Sequence, residues 1–308
     1  LASVEGDFRA GRPRLEVFLV DNRSSDGTVE RVRRGFPWVE VIANEDNRGF
    51  AAANNQALRL AKGRHCLLLN PDTEARPEAL ATLVAYLDEH PEVGAVGPKL
   101  VYPDGRLQRS STLFPTMRSA LHRYTAIKWL RIFHGHYRRY KKKDEAFDQQ
   151  ASVDSLMGAA LMVRRSVLDE VGLLDEGFWM YYEEVDLCKR IADAGWLNHF
   201  VPDAVIMHVG GESSAKNMER IKVERVRSLL RYFDKHNSPG AAFAFRLAFK
   251  SGFLLRVAAE LLGDSALWAF WRAAGRLDRA AERAERARIG VAFLRRDAWR
   301  MLDLPASS

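Results

Sequence analysis

The sequence predicts an α/β fold, with a doubly wound, mainly parallel sheet flanked by helices and followed by a helical C-terminal extension. Three observations carry this. Short apolar runs alternate with helical patterns of about 10 to 15 residues between Glu16 and Val96, and right-handed crossovers turn such alternation into a parallel sheet. Two of the runs stop at a carboxylate, Asp21 after EVFLV and Asp72 after LLLNP, and the ligand crevice of an open α/β sheet lies at the carboxyl ends of its strands. Beyond Ser214 the strand-like runs give way to long apolar and basic helical patterns.

The 308 residues, 47% of them hydrophobic, suffice for a large core in one big domain or two smaller ones. A net charge of +7 is moderate, so its distribution matters more than its size. No nucleic-acid reader motif accompanies it, and nucleic acid is not an expected partner. Cys66 and Cys188 stand outside any CxxC or zinc spacing and read as reduced, buried thiols of a cytosolic protein. No signal peptide is visible, nor any stretch of about 20 uncharged apolar residues. LASVEGDF at the start reads as the tail of a helix, so a truncated N-terminus is expected.

In order, Glu16–Val20 is a strand that ends on Asp21 and enters a polar loop, with a helix through Arg34. Trp38–Ala43 is the next strand, and Asn47-Arg48-Gly49-Phe50 opens an alanine-rich helix ending near Gly63. The strand His65–Leu69 stops before Pro71, which cannot donate to a ladder. Asp72 either begins a turn toward the helix Pro77–His90 or serves the crevice. Val93–Val96 is a further strand, and Tyr102-Pro103-Asp104-Gly105-Arg106 a hairpin turn. Between Arg118 and Lys143, basic residues interleave with Leu121, Tyr124, Ile127, Trp129, Leu130, Ile132 and Phe133. This is either a solvated helix face or a contact for an anionic membrane surface or a phosphate-bearing substrate.

Asp154–Val163 reads as a strand whose Gly158 and Ala159 leave room for a close approach. A helix is expected from about Tyr182 to Ala194, with Gly195 closing it. Its first turn carries Glu183, Glu184 and Asp186, preceded by Phe178, Trp179, Tyr181 and Tyr182. Acids there complement the helix dipole, but three acids behind four aromatic rings exceed what stability asks. Aromatic faces suit sugar rings, so Trp179 and Tyr181 are candidate acceptor or sugar contacts, and Gly158 and Glu183 are taken as candidates with them. Asn198–Val201 forms a strand, and His208 precedes Gly210-Gly211.

Five blocks now stand in order: VDNRSSDGT at 20 to 28, DNRGFAAANN at 46 to 55, LLLNPDTE at 67 to 74, GAALMVRRSVLDEVGLLDEGFWMYYEEVDLCKR at 158 to 190, and VPDAVIMHVGGESS to Ser214. In order and spacing they resemble the family 2 inverting glycosyltransferases of the GT-A fold, in particular bacterial rhamnosyltransferases of cell-surface polysaccharide assembly. The resemblance implies a mixed, mainly parallel sheet and a transfer from a nucleotide-diphosphate sugar, rhamnose from a dTDP donor first, to a glycan or lipid-linked acceptor. It implies that Asp21 faces the nucleotide base and that Asn47, Gly49 and Asn54 shape the nucleotide pocket. Asp72 matches the second acidic position of the family's DxD-type element, with Asn70 at the first, and with His208 implies a site for Mg²⁺ or Mn²⁺. Glu184 matches the catalytic base, where aspartate is commoner. The family's opening strand finds no match before Glu16, which leaves a catalytically silent glycan-binding partner as an alternative. A sugar nucleotidyltransferase is the other, though Leu1–Arg14 lacks its Gly-rich basic signature.

Residues 1–214 are therefore expected to form the glycosyltransferase domain with a basic insertion at 118–150, and 215–308 a helical, amphipathic region. At 100° per residue, Arg246, Lys250, Arg256 and Glu260 fall within about a third of the circumference of a helix over 241–262, leaving a broad apolar face. That pattern suits a helix in the membrane interface or packed on the catalytic domain. The tail from Ala266 to Leu304, with Trp268, Trp271 and Trp299 among arginines, points the same way. The expected location is cytoplasmic, peripheral on the inner face of the membrane.

Overall fold

The computed structural model describes residues 1–10, 13–142, 147–210 and 218–293. Lys143, Gly211 to Ser214 and Trp299 lie outside the described residues. In chain order the elements are α1 (Ala2–Ala10), β1 (Phe18–Asp21), α2 (Thr28–Gly35), β2 (Glu40–Ala43), α3 (Phe50–Leu60), β3 (His65–Leu69), β4 (Thr73–Ala75), α4 (Ala79–Glu89), β5 (Val93–Val101), β6 (Leu107–Gln108) and β7 (Ser111–Thr112). Then follow α5 (Met117–Tyr124), a 3₁₀ turn (Ala126–Leu130), α6 (His134–Tyr140), β8 (Ala151–Ser152), β9 (Ser155–Leu156), β10 (Ala160–Arg164), α7 (Arg165–Val171), α8 (Glu183–Asp193), β11 (Leu197–His208), α9 (Met218–His236), α10 (Pro239–Ala273) and α11 (Leu277–Phe293).

The chain divides into two compact units, Leu1–Phe114 with Lys141–Met218, and Pro115–Tyr140 with Glu219–Ser308. In the first, the main sheet runs β3-β10-β5-β11-β4. β5 and β11 pair in parallel, while β10 runs antiparallel between β3 and β5, and β4 runs antiparallel along β11. β3, β5 and β11 thus share one direction, and the sheet is mixed. β1 and β2 form a separate parallel pair.

Period-two alternation sends successive side chains to opposite faces, and both faces are covered. Cys66, Leu68, Leu161 and Val163 pack with Leu187, Ile191 and Phe200 on one side. Leu67, Leu69, Ala160 and Met162 pack with Leu80, Leu83 and Leu87 of α4 on the other. That two-sided burial is the doubly wound arrangement, with α7 and α8 on one face and α4 on the other. Both cysteines are free and buried. Burial pushes the Cys188 thiol up to about 12, which leaves it unreactive.

Several boundaries differ from those read in the sequence. β2 begins at Glu40, after a turn in which Val39 N–H donates to Phe36 O at 2.9 Å and the Trp38 ring stacks on Phe8, centroids 4.2 Å apart. The expected strand Asp154–Val163 is two strands, broken around Gly158. β5 and β11 run well past their expected ends, and β11 does so by shifting register between Val201 and Val205. The irregularity takes up Pro202, which has no N–H for the ladder.

The second unit is helical. Thr116 opens α5 with a reciprocal capping box to Ser119. α5 and the 3₁₀ turn then dock on α10. A β-carbon at Gly252 would lie 2.9 Å from that of Thr125, and Tyr124 meets Phe249 with centroids 5.9 Å apart. α9 holds α10 through Phe233 on Phe245 and an Arg246–Asp234 ion pair of 2.8 Å. The basic segment expected as an insertion of the first domain therefore groups with the C-terminal helices through Tyr140, with Tyr124 and Thr125 among the residues that meet α10.

Candidate functional site

Asp72 sits in the turn between β3 and β4. The turn is tied down by Asn70 N–H donating to Ala159 O at 2.9 Å and Thr73 Oγ1 donating to Asn70 O at 2.6 Å. β4 pairs with the end of β11, Thr73 opposite His208, and this register brings the two predicted metal residues together. His208 Nε2 lies 3.3 Å from Asp72 Oδ1, and Gly210 N–H donates to Asp72 Oδ2 at 3.1 Å. Gly210 adopts φ 73° to do so, a conformation glycine takes without strain.

Behind His208 stands Gln108, also buried, with Oε1 2.8 Å from Nδ1. With Nδ1–H donating to that oxygen, a neutral ring turns its Nε2 lone pair toward the Asp72 carboxylate. Two acceptors then face each other, an arrangement relieved by a ring proton or a bound cation. A carboxylate and an oriented imidazole fit a divalent cation as a partial donor set, leaving other positions to donor oxygens and water. Among the described residues no group of three or more such ligands forms.

Glu183 and Glu184 open α8. The backbone reaches them through two successive non-glycine residues at positive φ, Tyr181 at 69° and Tyr182 at 70°, a conformation that costs roughly 1 to 3 kcal/mol at each. The segment is pinned from the other side. Phe50 N–H donates to Trp179 O at 2.7 Å, and a β-carbon on Gly49 would lie 2.6 Å from Trp179 Cδ1 and closer still to its carbonyl oxygen. At Gly158 a β-carbon would lie 3.4 Å from that of Glu184 and 3.8 Å from the Phe50 ring. Gly49, Phe50, Gly158, Trp179, Glu183 and Glu184 thus form one neighbourhood, joined to the Asp72 turn through Ala159.

Glu183 is buried and Glu184 half-buried, and the Oε2 atom of each is sealed from solvent without a hydrogen-bond partner. Burial, then the charge of Glu184, holds the Glu183 carboxyl well above the usual range. Burial raises Glu184 as well, opposed by backbone N–H groups at the helix start and by Lys141. Adjacent buried carboxyls resist ionising together, and at Glu184 backbone N–H groups and Lys141 work against the burial that raises it.

The residues expected around the nucleotide are engaged locally. Asp21 is buried and its Oδ2 accepts from Ser24 N–H at 2.9 Å. Asn47 Oδ1 accepts from Gly49 N–H at 3.0 Å, and Asn54 Nδ2 donates to Phe50 O one helical turn back at 2.8 Å. Gly49 is demanded by Trp179 as much as by any ligand. Sequence reasoning missed Asn22, whose Nδ2 donates to Gly49 O at 3.0 Å and whose Oδ1 accepts from Asn44. It also missed the buried Asn55, which donates to Leu174 O and accepts from Leu174 N–H. These amides tie the strand ends to α3 and to the loop before α8; the paired asparagines at 54 and 55 were the available signal.

A family model described as glycosyl transferase family 2 matches residues 2–172. The chain is a family 2 glycosyltransferase. It is 29% identical over 215 residues to the N-acetylglucosaminyl-diphospho-decaprenol L-rhamnosyltransferase of Mycobacterium tuberculosis, covering 66% of this chain and 69% of that protein. It is 24% identical over 210 residues to the dTDP-rhamnosyl transferase RfbF of Shigella flexneri, covering 65% and 62%. Among solved structures, the mannosyltransferase PcManGT of Pyrobaculum calidifontis, in complex with GDP-Man and Mn²⁺, shares the fold at TM-score 0.50 and 22% identity, over 94% of this chain and 77% of that one. This family 2 enzyme thus has the GT-A type of fold expected from its sequence blocks.

Proposed function

We propose that this glycosyltransferase moves a sugar, rhamnose from dTDP-rhamnose in the first instance, onto a glycan or lipid-linked acceptor at the inner face of the cell membrane, with inversion at the anomeric carbon. The carrying observation is the Glu183–Glu184 pair, which packs beside Gly158 and is joined through Ala159 to the turn that holds Asp72 against His208. The rhamnosyltransferase relatives support the sugar, and the decaprenol-linked acceptor named for one of them supports the lipid carrier.

In this reading Glu184, ionised, takes the proton of the acceptor hydroxyl as its oxygen attacks the anomeric carbon. The bond to the diphosphate breaks on the opposite face, and the nucleotide diphosphate leaves with the electron pair. Glu183 stays protonated and keeps the neighbourhood at a single negative charge. Asp72 and His208 would hold Mg²⁺ or Mn²⁺, which supplies charge neutralisation for the diphosphate when bound. The manganese and nucleotide sugar of the mannosyltransferase structure favour this assignment. Asp21, Asn47, Gly49 and Asn54 would border the nucleotide, and Trp179 and Tyr181 the sugar or acceptor.

The test is turnover with dTDP-rhamnose, Mn²⁺ and a polyprenyl-diphosphate-linked N-acetylglucosamine, followed by mass analysis of the lipid and by released dTDP. Addition of one deoxyhexose is expected. Failure of dTDP-, UDP- and GDP-sugars alike to transfer to lipid-linked acceptors would overturn the reading.

A further inference from the structure

α10 is a helix turned inside out. Its buried side, Ala242, Phe245, Phe249, Phe253 and Val257, packs within the second unit. The charged residues between Phe243 and Phe270, namely Arg246, Lys250, Arg256, Glu260 and Asp264, fall within about a third of the circumference on that same side. Arg246 pairs with Asp234, Arg256 and Lys128 with Glu260, and Asp264 with Arg283.

The outward face carries no charge over those residues, about 40 Å of helix at 1.5 Å per residue. Phe243, Leu247, Leu255, Leu262 and Phe270 lie along it, each between 59% and 73% exposed, with alanine and serine between them. Large apolar side chains aligned on one uncharged face are the kind of surface that marks a protein or membrane interaction site. On the 3₁₀ turn docked against the same helix, Trp129, Leu130 and neighbouring Ile132 are exposed as well, with Arg131 among them.

Charge identifies the occupant. Pro115–Tyr140 with Glu219–Ser308 carries 24 Lys and Arg against 10 Asp and Glu, whereas the rest of the chain carries 23 against 30. A second copy would bring the same excess of positive charge to the contact, whereas an anionic bilayer answers both the charge and the apolar stripe. No described helix is long and apolar enough to cross a membrane. We infer that the second unit is a membrane-docking module, with the Phe243–Phe270 face of α10 lying in the interface of an anionic bilayer and the surrounding cations toward its headgroups. This deepens the membrane position in the proposed function, and it is read without turnover, so either can fail alone.

The experiment is co-sedimentation of the whole chain with phosphatidylglycerol or phosphatidylcholine vesicles at low salt. The triple variant Leu247→Gln, Leu255→Gln, Leu262→Gln is run beside it, with circular dichroism as the check on folding. A second variant, Leu262→Cys, carries an environment-sensitive dye. Binding to the anionic vesicles, at least about tenfold weaker in the triple variant, with a blue shift of the dye, is expected. Absence of binding, undiminished binding of the folded triple variant, or no blue shift on bound vesicles would overturn the inference. So would a dimer, dissolved by the triple variant, in a chain that ignores lipid.

Discussion

At Glu183 a carboxyl is kept where water cannot reach it, and that has a cost readable in stability. Because burial raises its folded pKa, the unfolded carboxyl, near 4.3, releases its proton first. The stability owed to the neutral form is therefore complete below the unfolded value and lost as pH rises through the folded one. Glu183→Gln is expected to melt higher than the parent by a margin that widens from pH 4 to pH 8 in thermal scans. At Gly49 both the φ of 86° and the nearness of Trp179 exclude a side chain. Gly49→Ala should destabilise by about 1 to 3 kcal/mol in denaturant unfolding. Asp72 stands out in the sequence at the end of an apolar run, and Glu183 and Glu184 in the first turn of a helix behind aromatic rings, whereas His208 is singled out only by the family resemblance. Gln108 could not be picked out, since only the β5–β6 pairing carries a glutamine from an exposed-looking hairpin to the far side of His208.

Elements were legible where a periodic run met a breaker. β3 ends at Leu69 before Pro71, as expected, and α8 lies within one residue of its expected span at each end. Strand direction was not legible, because an apolar run such as ALMV reads the same in parallel and antiparallel ladders; β10 enters between β3 and β5 against both. Nor was the length of β11, since Pro202 signals an end that a register shift overrides. In the second unit the contact of α10 with the 3₁₀ turn depends on Gly252, whose missing side chain admits Thr125. Gly252→Leu is expected to cost about 1 to 3 kcal/mol by overpacking, read as a lowered melting temperature that Gly252→Ala reproduces only in part.

Over the whole molecule, the grouping of 115–140 with the C-terminal helices escaped the sequence because the two segments are far apart in the chain and share only composition. Once grouped, they concentrate positive charge that the overall +7 conceals. Vesicle binding through that charge should weaken steeply as salt rises from about 50 mM to 500 mM, over which the screening length falls several-fold. Binding that ignores salt would leave only the apolar stripe at work.

The most direct test of the catalytic assignment compares turnover of the parent, Glu184→Gln and Glu183→Gln at saturating donor and acceptor. Loss of about 10²- to 10⁴-fold in kcat for Glu184→Gln, with donor affinity kept and Glu183→Gln still active, is expected. An active Glu184→Gln enzyme, or loss confined to Glu183→Gln, would contradict it.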